Sequence, residues 1–199
     1  EGERGAELFV NLYVGSEAKI ALEPDNMVAI GQETRYPWEG RIVLSVSPQV
    51  EKEWTLRLRI PAWCHDASVS VNDGAPVQVD MSKLDRGYYL LRRTWKQGDR
   101  VILELAMPVE RMEAHPKVVA NRGRVAIQRG PLVYCFEAVD NGFDVRTAAL
   151  AKAPQFETEF RPDLLGGIVV IKATAADGRR LTAIPYHLWD HRDPGPMVV

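Results

Sequence analysis

The stretch EWTLRLRIP, residues 53–61, places Trp54, Leu56, Leu58 and Ile60 on one side of an extended chain and Thr55, Arg57 and Arg59 on the other. A period of two with apolar and polar residues alternating is the signature of a half-buried β-strand. The same pattern recurs on both sides of it. ASVSVNDGAPVQVD (67–80) reads as a hairpin in which Asn72-Asp73-Gly74 supplies the positive φ of a tight turn and Val69, Val71, Val77 and Val79 supply the strands. YYLLRRTW (88–95), the turn KQGD (96–99) and RVILELAMP (100–108) read as a second hairpin, with Val101, Leu103 and Leu105 on one face and Pro108 ending it.

Helix signals are few. FDVRTAALAKA (143–153) alone has a helix-compatible composition, and its apolar spacing supports a turn or two. Many short strands and little helix predict an all-β chain folded as sandwiches or barrels. Strand alternation lapses over MPVERMEAHPKVVANRG (107–123), punctuated by Pro108 and Pro116. The expected organisation is therefore two consecutive antiparallel β-sandwich domains of jelly-roll type, residues 1–110 and 111–199.

The 199 residues include 46% apolar and 26% charged side chains with a net charge of -2, an ordinary globular balance able to bury a core without covalent staples. Arginines cluster locally at 92–93 and 179–180, but interleaved acids leave no basic stripe, so no nucleic-acid partner is expected. No run approaches the roughly 20 apolar residues of a membrane-spanning helix, and EGERGAELF lacks a signal-peptide pattern, so a soluble chain without a membrane partner is expected. The start at Glu1 and the apolar end PGPMVV read as a piece of a longer protein.

The side chains with chemical potential have bland readings beside their functional ones. Cys64 and Cys135 are the two cysteines. A nucleophilic thiolate needs a base, cation or metal nearby. His65 adjoins Cys64 but points to the opposite side of an extended backbone, and Cys135 sits among Val133, Tyr134 and Phe136. Cys135 is read as a small buried hydrophobe. In HLWDH (187–191), His187 and His191 have the spacing of helical metal ligands, but Pro185, Pro194 and Pro196 argue for an extended or looped backbone. His115 has no evident partner. Glu110, Glu113 and Glu137 each have the chemistry of half an acid/base pair, which requires a carboxyl separation that sequence does not supply. Trp38, Trp63, Trp95 and Trp189 with Tyr36 and Tyr186 have the composition of a sugar-stacking platform or of ordinary core packing. Trp38, in TRYPWEGRI, is the aromatic expected at the surface and the one candidate carbohydrate contact. No catalytic, cofactor-binding or metal-binding residue is assigned.

Several phrases in collinear order, ELFVNLYVGSEAKI (7–20), LRLRIPAWC (56–64), GYYLLRRTWKQGDRVILELAMPVE (87–110), NRGRVAIQRGPLVYCFE (121–137) and IPYHLWDHRDPGPMVV (184–199), resemble the C-terminal half of glycoside hydrolase family 127. RVAIQRGPLVYCFE together with RIPAW is the most specific part. The resemblance implies a bacterial β-L-arabinofuranosidase-like parent, of cytoplasm or periplasm, with an N-terminal (α/α)6 catalytic barrel followed by two β-sandwiches. It further implies a retaining mechanism in which a zinc-bound cysteine is nucleophile, with glutamate and further cysteine ligands and a separate glutamate as acid/base, all upstream of Glu7. Cys135 matches a cysteine of the second sandwich rather than that nucleophile. His187-Leu188-Trp189-Asp190-His191-Arg192 departs from the aromatic-Ala-Asn-Arg run of relatives. The chain is thus expected to be a non-catalytic support for the barrel, the parent being the enzyme, with a dimer contact as a further possibility for its surface. The alternative is a carbohydrate-binding sandwich whose glycan binding is lost on Trp38→Ala. An independent hydrolase needs a thiolate or carboxylate pair that the sequence does not reveal, and would show it by losing turnover on Cys135→Ser.

Overall fold

A computed structural model describes residues 5–199; the start at Glu1 lies outside the described residues. The chain divides into two compact units, one ending at Met107 and the other running from Pro108 to Val199. Val109 and Glu110, placed in the first domain by the sequence reading, belong to a strand that pairs within the second.

The first unit is a sandwich of a three-stranded and a six-stranded sheet. Its strands are β1 (Glu7–Val10), β2 (Ser16–Glu23), β3 (Asn26–Thr34), β4 (Arg41–Pro48), β5 (Lys52–Arg59), β6 (Ala67–Val71), β7 (Val77–Gln78), β8 (Tyr88–Trp95) and β9 (Asp99–Leu105). One sheet has the order β1-β5-β8 and the other β2-β3-β4-β9-β6-β7. All pairs are antiparallel except β1 with β5, which run parallel because the chain visits the opposite sheet three times before returning beside β1.

Alternation places the core where the sequence predicts. Trp54, Leu56, Leu58 and Ile60 are buried, facing Ile42, Leu44, Val101 and Leu103, all four of which are fully enclosed. The Asn72 turn is also as expected, with φ 54° at Asn72 itself between the paired β6 and β7. At Gly40 a side chain would sit 1.8 Å from the Leu105 carbonyl oxygen, so glycine is what lets β4 begin against the end of β9.

The expected hairpin of residues 88–108 is not formed. β8 pairs with β5, whereas β9 pairs with β4 and β6 in the other sheet, so KQGD carries the chain across the sandwich. Two side chains build that crossing. The Trp95 ring stacks on Trp54 with centroids 5.0 Å apart, and its indole N–H donates to the Trp54 carbonyl at 3.0 Å. The Asp99 carboxylate accepts from Lys96 N–H and Asn72 Nδ2, both at 2.9 Å. The expected hairpin would pair the flanking strands edge to edge; in the observed crossing Trp95 is completely buried.

The second unit contains β10 (Val109–Glu113), β11 (Val125–Arg129), β12 (Leu132–Glu137), the single-turn helix α1 (Ala138–Asn141), β13 (Glu157–Arg161), β14 (Ile168–Thr174), β15 (Arg180–Pro185) and β16 (Met197–Val198). Its strands are hydrogen-bonded in the order β10-β11-β12-β15-β14-β13, with β16 joining the end of β12. Ile127, Tyr134, Phe136, Ile171, Leu181 and Ala183 form the core with Val145, and Phe143, Leu150 and Phe156 pack against it. FDVRTAALAKA is therefore a cover for the core rather than a helix. Only Val145–Thr147 makes a 3-10 turn, which the Asp144 carboxylate caps by accepting from Arg146 N–H. The whole chain is all-β, as predicted.

Removing the Trp54 ring should lower the unfolding free energy of the first unit by about 3–5 kcal/mol, because it empties the stack beneath Trp95. Chemical denaturation of Trp54→Ala followed by circular dichroism measures this, and a loss under about 1 kcal/mol would mean that the core re-closes around the gap. Burial pushes the Asp99 carboxyl upward, but the bonds from Asn72 and Lys96 outweigh it and leave its pKa below the ordinary value. Its stabilisation is therefore present above about pH 3.9 and is lost as pH falls through the lower folded value. Asp99→Asn should cost about 1–3 kcal/mol at pH 7, and its denaturation midpoint should converge on that of the unsubstituted protein as the pH falls through the lowered folded value.

Candidate functional site

The outward side of the three-stranded sheet is built around Arg57. Register aligns Phe9, Arg57 and Leu90 across β1, β5 and β8. The guanidinium bonds Glu7 Oε1 at 2.8 Å and Asp85 Oδ2 at 2.6 Å, and lies 5.2 Å from the centre of the Phe9 ring. Its hydrogen bonds to Glu7 and Asp85 raise its pKa further. The face opposite the core is thus organised rather than merely solvated. Phe9 remains 48% exposed, and beyond β1 Leu12 and Val14 are exposed at 77% and 58%. These exposed side chains alternate with buried Val10 and Tyr13 along the first strand and the segment that follows it.

Beside this face, at the end of β5, lies a groove of about 520 Å³ lined by Arg59, Ile60, Pro61, His65, Leu84 and Arg86 among others. Local chain geometry makes it. The Ile60 N–H donates to the Gly87 carbonyl at 2.8 Å, tying the end of β5 to the Asp85–Tyr88 turn, and the Tyr13 hydroxyl donates to the Arg59 carbonyl at 2.6 Å. Cys64 is buried against it with its thiol pKa raised by desolvation, while its Sγ contacts the Asp66 carbonyl at 3.1 Å.

In the second unit, Arg192 fastens the segment after β15 to the sheet. Its guanidinium meets both oxygens of Asp140 at 2.6 Å and Glu137 Oε2 at 2.7 Å, and Glu137 Oε1 accepts from the Asp190 N–H at 3.0 Å. Two carboxylates sharing one guanidinium and one amide are structural anchors. Glu137, a candidate acid/base residue from sequence, is spent in this way, and Glu113 pairs with Arg111 at 2.8 Å. Glu110 is on β10 opposite Gln128, remote in register from Glu137 on β12.

The other sequence candidates divide similarly. Cys135 is fully buried on β12 opposite Ile184, and burial with the Glu137 and Asp140 charges pushes its thiol to about 12. Both cysteines are free. The HLWDH segment begins as a 3-10 turn at Tyr186–Leu188, and the His191 ring nitrogen lies 3.1 Å from the Leu188 carbonyl. Among the described residues no group of three His, Cys, Asp or Glu side chains is placed to hold a metal ion. Trp38 is half-buried in the turn after the cis Tyr36–Pro37 bond, its backbone N–H donating to the Arg35 carbonyl. Trp189 is the more exposed tryptophan, at 40%, with Tyr186 parallel to it within 11°. Sequence reasoning missed Arg57, Arg59 and Arg86. Arg57 and Arg59 had been assigned to water by alternation, which orients a side chain but does not say what it meets.

Residues 7–107 match the family described as β-L-arabinofuranosidase, GH127 middle domain, and residues 109–199 match the glycoside hydrolase family 127 C-terminal domain. The chain belongs to glycoside hydrolase family 127. A non-reducing end β-L-arabinofuranosidase of Bifidobacterium longum subsp. longum is 28% identical over 226 residues, covering 100% of this chain and 33% of that protein. A crystal structure of a GH127 β-L-arabinofuranosidase from Geobacillus stearothermophilus T6 superposes with a TM-score of 0.88 at 44% identity, over 98% of this chain and 33% of that one. A second GH127 β-arabinofuranosidase gives 0.86 at 36% identity, over 98% and 34%. This GH127 chain therefore spans about a third of the length of the relatives it matches. No helix among its described residues is long and apolar enough to cross a membrane.

The enclosed, acid-flanked Cys135 should resist alkylation by iodoacetamide at pH 8 in the folded protein and react on unfolding, as mass spectrometry of the labelled peptide would show. Arg192→Ala strands Glu137 and Asp140 without their cation and should destabilise the second unit by about 3–5 kcal/mol, with Cys135 labelling accelerated.

Proposed function

We propose that these two β domains are the non-catalytic middle and C-terminal parts of a β-L-arabinofuranosidase-type glycoside hydrolase, bracing a catalytic barrel that lies in the portion of the protein this chain does not span. The observation that carries the reading is the collinear match of both units to the middle and C-terminal domains of one glycosidase family, at about a third of the relatives' length. A middle domain implies a preceding one. The surface best suited to meet it is the outward face of the first unit, where Phe9, Leu12, Val14 and Leu90 are exposed on and beside the strand through which the chain arrives. Several large apolar side chains exposed along one part of a domain are the composition of a contact surface.

On this reading the nucleophilic cysteine, its zinc and the acid/base glutamate belong to the barrel. Zinc there would hold and activate a thiolate, a chemistry for which Cys64 and Cys135 are unsuited because burial raises both thiols. The residues of this chain contribute rigidity: the Arg57 ion-pair cluster fixes the outer face of the three-stranded sheet, and the Arg192 anchor fixes the C-terminal segment. A glycan contact at Trp38 belongs to the alternative of an autonomous sugar-binding module.

The full-length protein should hydrolyse a chromogenic β-L-arabinofuranoside with retention, in the presence of zinc and a thiol reductant, and residues 1–199 alone should not. Turnover by the shorter chain would overturn the supporting role. Leu12→Asp combined with Val14→Asp should lower the melting temperature of the full-length protein while leaving that of residues 1–199 unchanged. Buried side chains of this size are worth about 1.5–3 kcal/mol each, so an equal, small effect in both proteins would place the docking face elsewhere.

A further inference from the structure

The groove at the end of β5 has three features that the bracing role leaves unexplained. The first is its unpaired charge. Arg59 and Arg86 both line it and both are exposed, and among the described residues neither forms an ion pair. Elsewhere in the same unit Arg41, Arg57, Arg92 and Arg93 each pair with a carboxylate, while exposed Arg100 forms no ion pair among the described residues.

The second is the backbone at Arg86. Asp85 and Tyr88 exchange two 3.0 Å hydrogen bonds, and the two residues between them have φ of 52° at Arg86 and 86° at Gly87. That is a turn with two successive left-handed residues, for which Asn, Asp or Gly at the first position is preferred and a long side chain is disfavoured. A side chain held in such a conformation has a reason to be where it is, and here it is one wall of the groove.

The third is the floor. Pro61 and Leu84, both partly exposed, are an apolar part of its lining, in a volume of about 520 Å³. A space of that size accommodates a small ligand such as one or two sugar rings.

We propose that this groove binds a saccharide bearing a carboxylate, a uronic-acid unit of a glycan. The two planar guanidiniums would grip the carboxylate through paired N–H donors, and the apolar floor would meet the C–H face of the sugar ring. A neutral sugar leaves the paired cations without a counter-charge. The saccharide part of the proposal rests on the glycoside-hydrolase reading, and its test reads binding without turnover, so the two stand or fall separately.

The test is isothermal titration of the full-length protein with digalacturonate, with a neutral disaccharide of the same size and with succinate. The uronide is expected to bind at least roughly tenfold more tightly than either comparison ligand, and to weaken as salt is raised. Arg86→Gly is the deciding variant. Glycine accepts the left-handed turn freely, so the melting temperature should hold or rise while uronide affinity falls by roughly tenfold or more. Arg59→Lys keeps the charge without the planar fork and should weaken binding as well. Equal binding of the neutral sugar, equal binding of succinate, no binding of the uronide, or undiminished affinity in Arg86→Gly would each overturn the proposal.

Discussion

The stacking of Trp95 on Trp54 is the interaction on which the first domain depends. Each indole is enclosed, and the hydrogen bond from Trp95 to the Trp54 carbonyl satisfies the one polar group that burying the Trp95 ring would otherwise leave without a partner. Trp95 is the last residue of β8, and four residues later β9 starts in the opposite sheet. The stack therefore sits where the chain changes sheets. With it in place, Asp99 can close the turn and Val101, Leu103 and Leu105 can fill the inner face from the other side. The position of the groove follows from the same arrangement, because β5, which carries Trp54 at one end, carries Arg59 at the other.

The second domain solves a different problem. Its core strands are continuously apolar, and the sheet needs cover. One cover is the segment of Phe143, Val145, Leu150 and Phe156, held by turns rather than by a helix. The other anchor is ionic, with Arg192 joined to Glu137 and Asp140. A buried ion pair contributes little net stability relative to an apolar equivalent, but breaking one partner is costly. Its effect is to specify where the C-terminal segment lies, and so to set Tyr186 and Trp189 in one orientation. In both domains the charged groups define geometry and the apolar residues supply the driving force.

In the proposed bracing role, such rigidity would itself be the contribution. The apolar residues of β1 and the turn after it offer a contact face, and the paired arginine beneath Phe9 keeps that face from rearranging. In the groove, Arg59 and Arg86 form no ion pair among the described residues. The proposed docking and ligand capture would thus draw on neighbouring parts of one sheet.

The sequence by itself determined what each strand is and which side of it is buried, because those properties follow from a period of two and from local turn chemistry. Trp54 through Ile60, the Asn72 turn and the enclosed Cys135 were all legible in this way. The tertiary structure decided which strands pair. Alternation in YYLLRRTW and RVILELAMP is equally compatible with one hairpin or with two sheets, and the choice is made by the fit of Trp95 against Trp54, a contact between residues 41 positions apart. Composition made FDVRTAALAKA compatible with a helical turn or two, and the structure keeps one 3-10 turn there while the rest covers Ile171 and Ala183. The groove was beyond sequence for the same reason. Arg59 and Arg86 are brought together by the bond from Ile60 to Gly87, and nothing local in either segment encodes that the other will be there.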